Sequence, residues 1–417
     1  MPANRFRTIG EGGVGQLAEI RVEKGGVHLG LRLFLLLPCP AYNDVMKLGI
    51  LFEYGTLNGG EHSLFAVLSQ LRSEIPAPVI LAPASRRFDE ICARLQLQRV
   101  HYELNTFRDD PVGLTKSLQQ VITECQLDLL HANSLSAGRQ LGVVSNQLSC
   151  PTSAHLRDIL KLSGPARRAL QQHRQLIAVS QATCDFHVQQ GIPASQITVI
   201  HNGVDLMEFR PRPPTGWLHR QLGLPPETPL AGTVGQICLR KGHHDLAQAA
   251  VLLKDRLPDL HFVVVGQRHS SKMESVQFDE SLDEVFAQHG LSHRFHRLGW
   301  HQQMQDVYPE FHLVLHAARQ EPLGRVLLEA AACGVPIVAT AVGGTGEILA
   351  DDQSACLVPA ADPCSLANGI EKLMRNPENC REFTAAARRT MEERFPIALA
   401  ARRHWIFWKQ LLESAAD

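Results

Sequence analysis

The sequence has almost no surplus of charge of either sign, with 41 Lys and Arg against 42 Asp and Glu. Binding along a phosphate backbone needs a clustered basic excess, so nucleic acid is excluded as the main partner. Paired cysteines are also missing. The ten cysteines are scattered singly with no C-x-x-C among them, and several sit in apolar or helical contexts. Small buried hydrophobes in a reducing, cytoplasmic compartment follow from that pattern. Twenty histidines are many, but His243 and His244 are adjacent and no H-E-x-x-H occurs, so no metal site is expected. The apolar run Leu29 to Leu37, broken by Arg32, is too short to span a bilayer and too far into the chain for an ordinary signal peptide. No internal repeat or low-complexity tract is present.

What is there is length and alternation. A chain of 417 residues exceeds one ordinary core and fits two domains. Residues 1–45 read unlike the rest. Gly10, Gly12 and Gly15 spell G-x-G-x-x-G, yet no strand precedes them and no helix-forming run follows, which removes the dinucleotide reading. This stretch is expected to be an unstructured or non-native extension, with Met46-Lys47-Leu48 the more natural opening. From Lys47 onward short apolar runs alternate with helical segments. Strands are expected at KLGILFE, Val79 to Ala82, Arg99 to Glu103, Asp128 to Ala132, Thr152 to His155 and Leu176 to Val179. That alternation predicts parallel sheets covered on both faces. Pro211, Pro213, Pro214 and Gly216 break regular structure and mark residues 211–228 as the linker between domains at 46–210 and 229–395.

The most informative stretch runs from Leu313 to Leu349. It reads as an apolar strand, a loop with Pro322 and Gly324, a helix from about Leu323 to Cys333, a Gly-Val-Pro break and a second strand at Ile337 to Thr340. The loop then lies beyond a strand's carboxyl end, where open α/β sheets bind ligands. Glu321 and Glu329 stand on this loop and helix, with the free amides of Leu323, Gly324, Arg325 and Val326 between them. Two carboxylates flanking a helix amino end suit a ligand with a diol at each end and an anion between, as in a nucleotide sugar. The alternative is a capping residue followed by a solvated helix residue.

The segment EPLGRVLLEAAACGVPIVATAVGGTGEIL closely resembles the donor-binding segment of the retaining GT-B glycosyltransferases of family 4, the glycosyl transferases group 1. The similarity continues in LIAVSQATCDFHVQQGIPASQITVIHNGVDLMEFRP and runs from about Met46 to the last helix. It implies an α/β chain of GT-B type, two Rossmann-like doubly wound domains facing a central cleft. The final helix, 396–417 with Trp405 and Trp408, would cross back to the N-terminal, acceptor-side domain. It further implies transfer with retention from a nucleotide-diphosphate sugar, without metal or other cofactor, to an unidentified glycan, lipid or small molecule. The setting would be cytoplasmic, with peripheral association at the inner membrane face left open.

Site residues follow from the same resemblance. Gly59 and Gly60, at a strand-to-helix turn, match a glycine pair facing the donor. His155, near the end of PTSAH, matches a histidine facing the donor sugar and is taken with Glu321 and Lys241 as catalytic. Arg240 and Lys241, on the loop within LAGTVGQICLRKGHHDLAQAAVLL, would neutralise the leaving diphosphate. Gln236 occupies a position where the family commonly has arginine, so neutralisation falls to Lys241 with Arg240 or Arg325. Two rivals remain open: a nucleotide-sugar epimerase on the same fold, and a binding protein that keeps the site without turnover.

Overall fold

The structure, a computed structural model, describes residues 20–24, 27–31 and 46–416. It divides into two units, Met1–Val45 and Met46–Asp417. In the first unit, β1 (Ile20–Lys24) and β2 (Val27–Leu31) pair as an antiparallel hairpin with Ile20 opposite Leu31. The expectation of no regular structure before Met46 is corrected for these two strands, which alternate polar and apolar residues. The glycines of G-x-G-x-x-G lie outside the described residues.

Two parallel sheets make up the second unit. The first holds β3 (Leu48–Leu51), β4 (Val79–Ala82), β5 (Gln98–His101), β6 (Leu129–Ala132), β7 (Thr152–Leu156), β8 (Gln175–Ala178) and β9 (Ile197–Val199). Their order is β5-β4-β3-β6-β7-β8-β9. The second holds β10 (Leu230–Val234), β11 (His261–Val265), β12 (Phe295–Gly299), β13 (Leu313–His316), β14 (Ile337–Thr340) and β15 (Cys356–Val358). Their order is β12-β11-β10-β13-β14-β15. Central strands such as LGIL, VILA, LVLH and IVAT are buried at every position, as strands covered by helices on both faces must be.

Both sheets reverse direction at one place. In the first, the chain moves outward from β3 to β5 and then returns to set β6 beside β3; in the second, β13 returns to lie beside β10. The crevice at the carboxyl ends of such a pair is where a doubly wound sheet leaves room for a ligand. The loops that enter it follow β3, β6, β10 and β13.

One detail departs from the sequence reading. The stretch 211–228 contains a short helix, Trp217–Leu222, whose Leu218 is wholly buried in a core shared with Tyr308 and Val314. Its prolines stop the preceding strand pattern, but the segment then packs. The last helix, Ile397–Ala416, buries Ile397, Trp405, Trp408 and Leu411 among Leu64, Leu68 and Ile177 of the first sheet's half. Its apolar face repeats at helical spacing and covers that sheet.

Candidate functional site

β13 ends in His316, and the chain turns outward through Ala317 to Gly324 before the helix Arg325–Ala332. Glu321 lies on this turn and is only 6% exposed. One of its oxygens, Oε2, accepts hydrogen bonds from Lys241 Nζ at 2.6 Å and His316 Nε2 at 2.9 Å. Burial alone would raise the Glu321 carboxyl, yet the Lys241 charge and the His316 bond hold it well below the ordinary carboxylate range. His316 is pushed the other way by burial, below its ordinary value, although the bond to Glu321 opposes the shift. A neutral imidazole therefore donates to an ionised carboxylate, and both bonds fall on Oε2, leaving Oε1 without one.

Several contacts hold this turn. Arg319 grips Asp245 with two nitrogens, at 2.9 and 2.6 Å, tying the turn to the helix His243–Leu252. Gly242 takes φ +65°, and a Cβ there would stand 1.8 Å from the Ala317 carbonyl oxygen. Gly343, at φ +51°, would place a Cβ 1.9 Å from the Glu321 carbonyl oxygen. Only glycine permits both approaches, which bring the Lys241 loop and the segment after β14 against the Glu321 turn.

Glu329 sits one turn into the helix and is 5% exposed. Its Oε2 accepts from the Tyr308 hydroxyl at 2.8 Å, and its Oε1 pairs with Arg325 Nε at 2.6 Å. The first bonds closing the helix run from Leu327 and Leu328 to the Gly324 carbonyl. The amides from Leu323 to Val326 precede them at the positive end of the helix, while the Leu323 side chain is buried in the core. Arg240 donates Nη1 to the Gln320 carbonyl at 3.3 Å. Gln236 is half-buried on the same loop.

The first sheet's edge meets this one. Gln320 Nε2 donates to the Ile159 carbonyl at 2.6 Å, and Ser180 Oγ donates to the Pro322 carbonyl at 2.5 Å. Ser180 also accepts from Thr183 N at 2.9 Å, capping the helix Gln181–Gln189. Glu347 accepts from the amides of Gln181 and Ala182, both at 2.9 Å, and pairs with His201 at 2.7 Å. The helix Gly59–Leu71 begins at the expected glycines. Gly59 borders open space, and a Cβ on Gly60 would meet Arg157 Cδ at 3.0 Å. His62 in its first turn is pushed down to about 4 by burial and by the neighbouring Arg325, Arg94 and Arg87 charges.

His155 requires a correction. It lies inside β7 with no exposed surface, its ring 5.8 Å from His131 and 5.6 Å from His404 of the last helix. Neither ring nitrogen has a hydrogen-bond partner, and burial pushes it well below its ordinary value. A ring packed between sheet and helix cannot touch a sugar in the crevice. Arg157, two residues on, reaches the carboxyl edge instead. It donates to the Asn133 carbonyl at 3.0 Å, to Asn133 Oδ1 at 2.9 Å and to Asn202 Oδ1 at 3.2 Å. Burial pushes Arg157 down to about 10, opposed by Glu61 and Asp158.

The sequence reading also missed His316 and Tyr308, the partners of the two glutamates. His316 carried a usable signal, a polar residue closing the apolar run LVL five positions before Glu321. Among the described residues no group of three or more His, Cys, Asp or Glu side chains is arranged to hold a metal ion. No helix among them is long and apolar enough to cross a membrane.

Comparison with known proteins bears on this geometry. The family profile for glycosyl transferases group 1 matches residues 217–390, and that for glycosyltransferase family 4 matches residues 57–208. The D-inositol 3-phosphate glycosyltransferase of Corynebacterium urealyticum is 30% identical over 190 residues, 44% of this chain and 44% of that protein. The lipopolysaccharide core biosynthesis mannosyltransferase of Rhizobium meliloti is 27% identical over 300 residues, 63% of this chain and 82% of that protein. The chain spans about half the length of the first curated relatives it matches, 44% to 49%. HepE of Anabaena, solved with UDP and glucose, superposes with a TM-score of 0.78 at 23% identity, over 88% of this chain and 100% of that one. That likeness speaks to the fold: two Rossmann-like domains of GT-B type. With one profile on each sheet and that architecture beneath both, the chain belongs to the group 1, family 4 glycosyltransferases.

Proposed function

We propose that the protein transfers a glycosyl group, with retention, from a nucleotide-diphosphate sugar to an acceptor held by the first sheet's half. The observation that carries this is the Lys241–Glu321–His316 cluster at the reversal point of the second sheet, followed by a helix amino end and Glu329. Glu321, kept ionised by its partners, has one oxygen free to accept two sugar hydroxyls. The diphosphate lies over the amides from Leu323 to Val326, with Lys241, Arg240 and Arg325 as cations around it. Glu329 takes the ribose hydroxyls.

Lys241 and Arg325 are already paired with the two glutamates, so the donor joins existing ion pairs instead of meeting free cations. The ammonium strengthens its hold as charge builds on the leaving diphosphate, which is where stabilisation counts. Retention follows if the acceptor attacks on the face that the diphosphate leaves; no nucleophile and no general base are assigned to the chain. Metal-independent chemistry is part of the proposal, since these cations do the neutralising. The free cysteines among the described residues support a reducing, cytoplasmic setting.

A second reading, a nucleotide-sugar binder without turnover, is favoured by Gln236 together with the prior pairing of Lys241. HepE was solved with UDP-glucose, so that donor heads a panel of UDP-, GDP- and ADP-sugars. Release of nucleoside diphosphate and appearance of a glycosylated product are the expected results. Tight binding without release would establish the binder, and an altered sugar still on its nucleotide would establish an epimerase.

A further inference from the structure

The donor geometry makes no use of a group of buried rings beneath the last helix. Strand register sets His131 beside Ile50 and Ser153, and His155 beside Ile177, so both rings lie on the face of the first sheet that this helix covers. His404 comes down from the helix to meet them. The His155 ring is 5.8 Å from His131 and 5.6 Å from His404, and Trp408 stands 5.7 Å from His131 and 5.5 Å from His404. At most 1% of any of the four is exposed. Ser153 Oγ bonds His131 Nδ1 at 2.8 Å, and the Ala400 carbonyl accepts from His404 Nδ1 at 2.8 Å, which leaves His404 Nε2 a bare acceptor. That atom, His131 Nε2, Trp408 Nε1 and both nitrogens of His155 have no partner among the described residues. Buried polar atoms are nearly always paired, so five orphans in one pocket call for an explanation.

The charges around the rings are cationic. Arg157, just past β7, bears on all three histidines, and His173 bears on His131. β3 and β8 place no titratable side chain on this face. The neighbouring helix Gly59–Leu71 brings His62 and Glu61, and Glu61 is bonded to the Asn58 amide at 2.8 Å. The last helix carries Arg402 and Arg403, both exposed, and Lys409, which pairs with Glu413 at 3.7 Å. Burial, with these cations behind it, pushes all three imidazoles below their ordinary value, His404 to about 4. We propose that His131, His155 and His404 form an acid-sensitive joint, which seats the last helix on the first sheet while the rings are neutral and releases it when they take up protons. The helix is a strap between the two halves. Met391 and Phe395 pack in the second sheet's core, Ile397 N donates to the Val204 carbonyl at 3.0 Å, and from Ile397 onward the chain packs on the first sheet. Once the helix is off, the histidines regain ordinary values near 6.5, so the docked state binds fewer protons than the released one. Docking is therefore at full strength above 6.5 and weakens as pH falls from there toward 4. The joint needs no part of the donor reading above.

The test is amide hydrogen exchange on the full chain, read by mass spectrometry over residues 397–416 and over the second sheet, between about pH 7.5 and 5. After correction for the intrinsic pH dependence of exchange, protection of 397–416 should fall at least about tenfold and return on neutralisation, while β10 and β13 stay protected. His155→Leu removes two unpartnered nitrogens and no hydrogen bond. It should keep or raise the melting temperature at neutral pH, since an apolar group replaces an unpaired polar one, and should move the midpoint of the helix transition down by about half a pH unit or more. Should leucine fail to fold, His404→Gln, which keeps a polar side chain on the helix and takes up no proton, carries the same expectation for the midpoint. A transition at the parental pH in the folded variant would overturn the joint. So would loss of protection in the second sheet at the same pH as in the helix, which is acid unfolding of the whole chain.

Discussion

The carboxyl edges of the two sheets meet at one crevice but manage their charges differently. On the second, each candidate donor-site carboxylate is buried with a cation of its own, Glu321 with Lys241 and Glu329 with Arg325, and the turn between them is held by glycine close approaches and the Arg319–Asp245 pair. On the first, Arg157 is buried against side-chain and backbone oxygens of Asn133 and Asn202, and Arg108 and Arg139 face a cavity without carboxylates. Paired charges in a rigid frame hold geometry. Buried pairs fail badly when one member is removed, at about 3–5 kcal/mol, because a lone buried charge is left behind. The second edge should therefore respond to substitution far more steeply than the first.

The steepest response is expected at Glu321. Glu321→Gln keeps the shape and removes the charge, losing the fork for sugar hydroxyls and freeing Lys241 from its anchor. Turnover should fall on the order of a thousandfold, since both the position of the reacting sugar and the stabilisation of its leaving group are disturbed. Steady-state kinetics on a variant with a parental circular-dichroism spectrum would measure it. Turnover near that of the parent would remove Glu321 from the donor site.

Lys241→Met should lower turnover about a hundredfold and change its pH dependence. In the parent, the folded Glu321 carboxyl is held below its ordinary value of 4.5. The stability it contributes is fully present above 4.5 and is lost as pH falls toward the depressed value. Without the ammonium, burial is the largest influence left and pushes the carboxyl up, so on acidification the variant should lose activity at a higher pH than the parent, whereas its Tm should no longer fall with acid as this carboxyl is protonated and should instead be lowered at pH values where the carboxyl is ionised. Parallel pH profiles of kcat/KM and Tm decide this. Superimposable profiles would mean that Lys241 does not set the charge of Glu321.

Much of this second edge was legible in the sequence. Glu321, Glu329 and Lys241 are polar residues on loops and helix starts beside unmistakable apolar strands, so strand position placed them at the crevice. Their pairing was not legible, because Lys241 and Glu321 are 80 residues apart in the chain and only the parallel register of β10 and β13 joins their loops. At the first edge the sequence misled. His155 and Arg157 both sit near the end of one strand, and which of them reaches the crevice depends on where β7 stops. It runs through Leu156, which buries His155 under the last helix and leaves Arg157 at the rim. The short β9 was missed because ITV lies between a proline turn and His201-Asn202-Gly203 and has only three residues.

Glu329→Gln probes the same edge more gently. The replacement can still accept from Tyr308 but loses the ion pair with Arg325 and one charged partner for the ribose. Hydrogen bonds to charged groups are worth about 1.5–3 kcal/mol, so calorimetry should show UDP held roughly tenfold or more weakly, with turnover at saturating donor little changed. Unchanged affinity would count against a ribose contact.

The smallest effect is expected from removing residues 1–45. Residues Met46–Asp417 form a compact unit of their own, and both sheets, both halves of the crevice and the last helix lie within it. Residue 46 itself is buried in the core of the first sheet's half, so the cut leaves a packed apolar residue at the new terminus. A chain starting at Met46 should keep the melting temperature, UDP affinity and turnover of the full chain within error, because no strand, cap or charged partner described at the crevice is lost. A Tm lowered by several degrees would show that the segment with the β1–β2 hairpin contributes to the stability of the fold, since about 1 kcal/mol shifts Tm by only a few degrees in a chain of this size. Lost turnover at an unchanged Tm would instead place part of that segment at the crevice, and the contrast between the two edges would have to be redrawn around it.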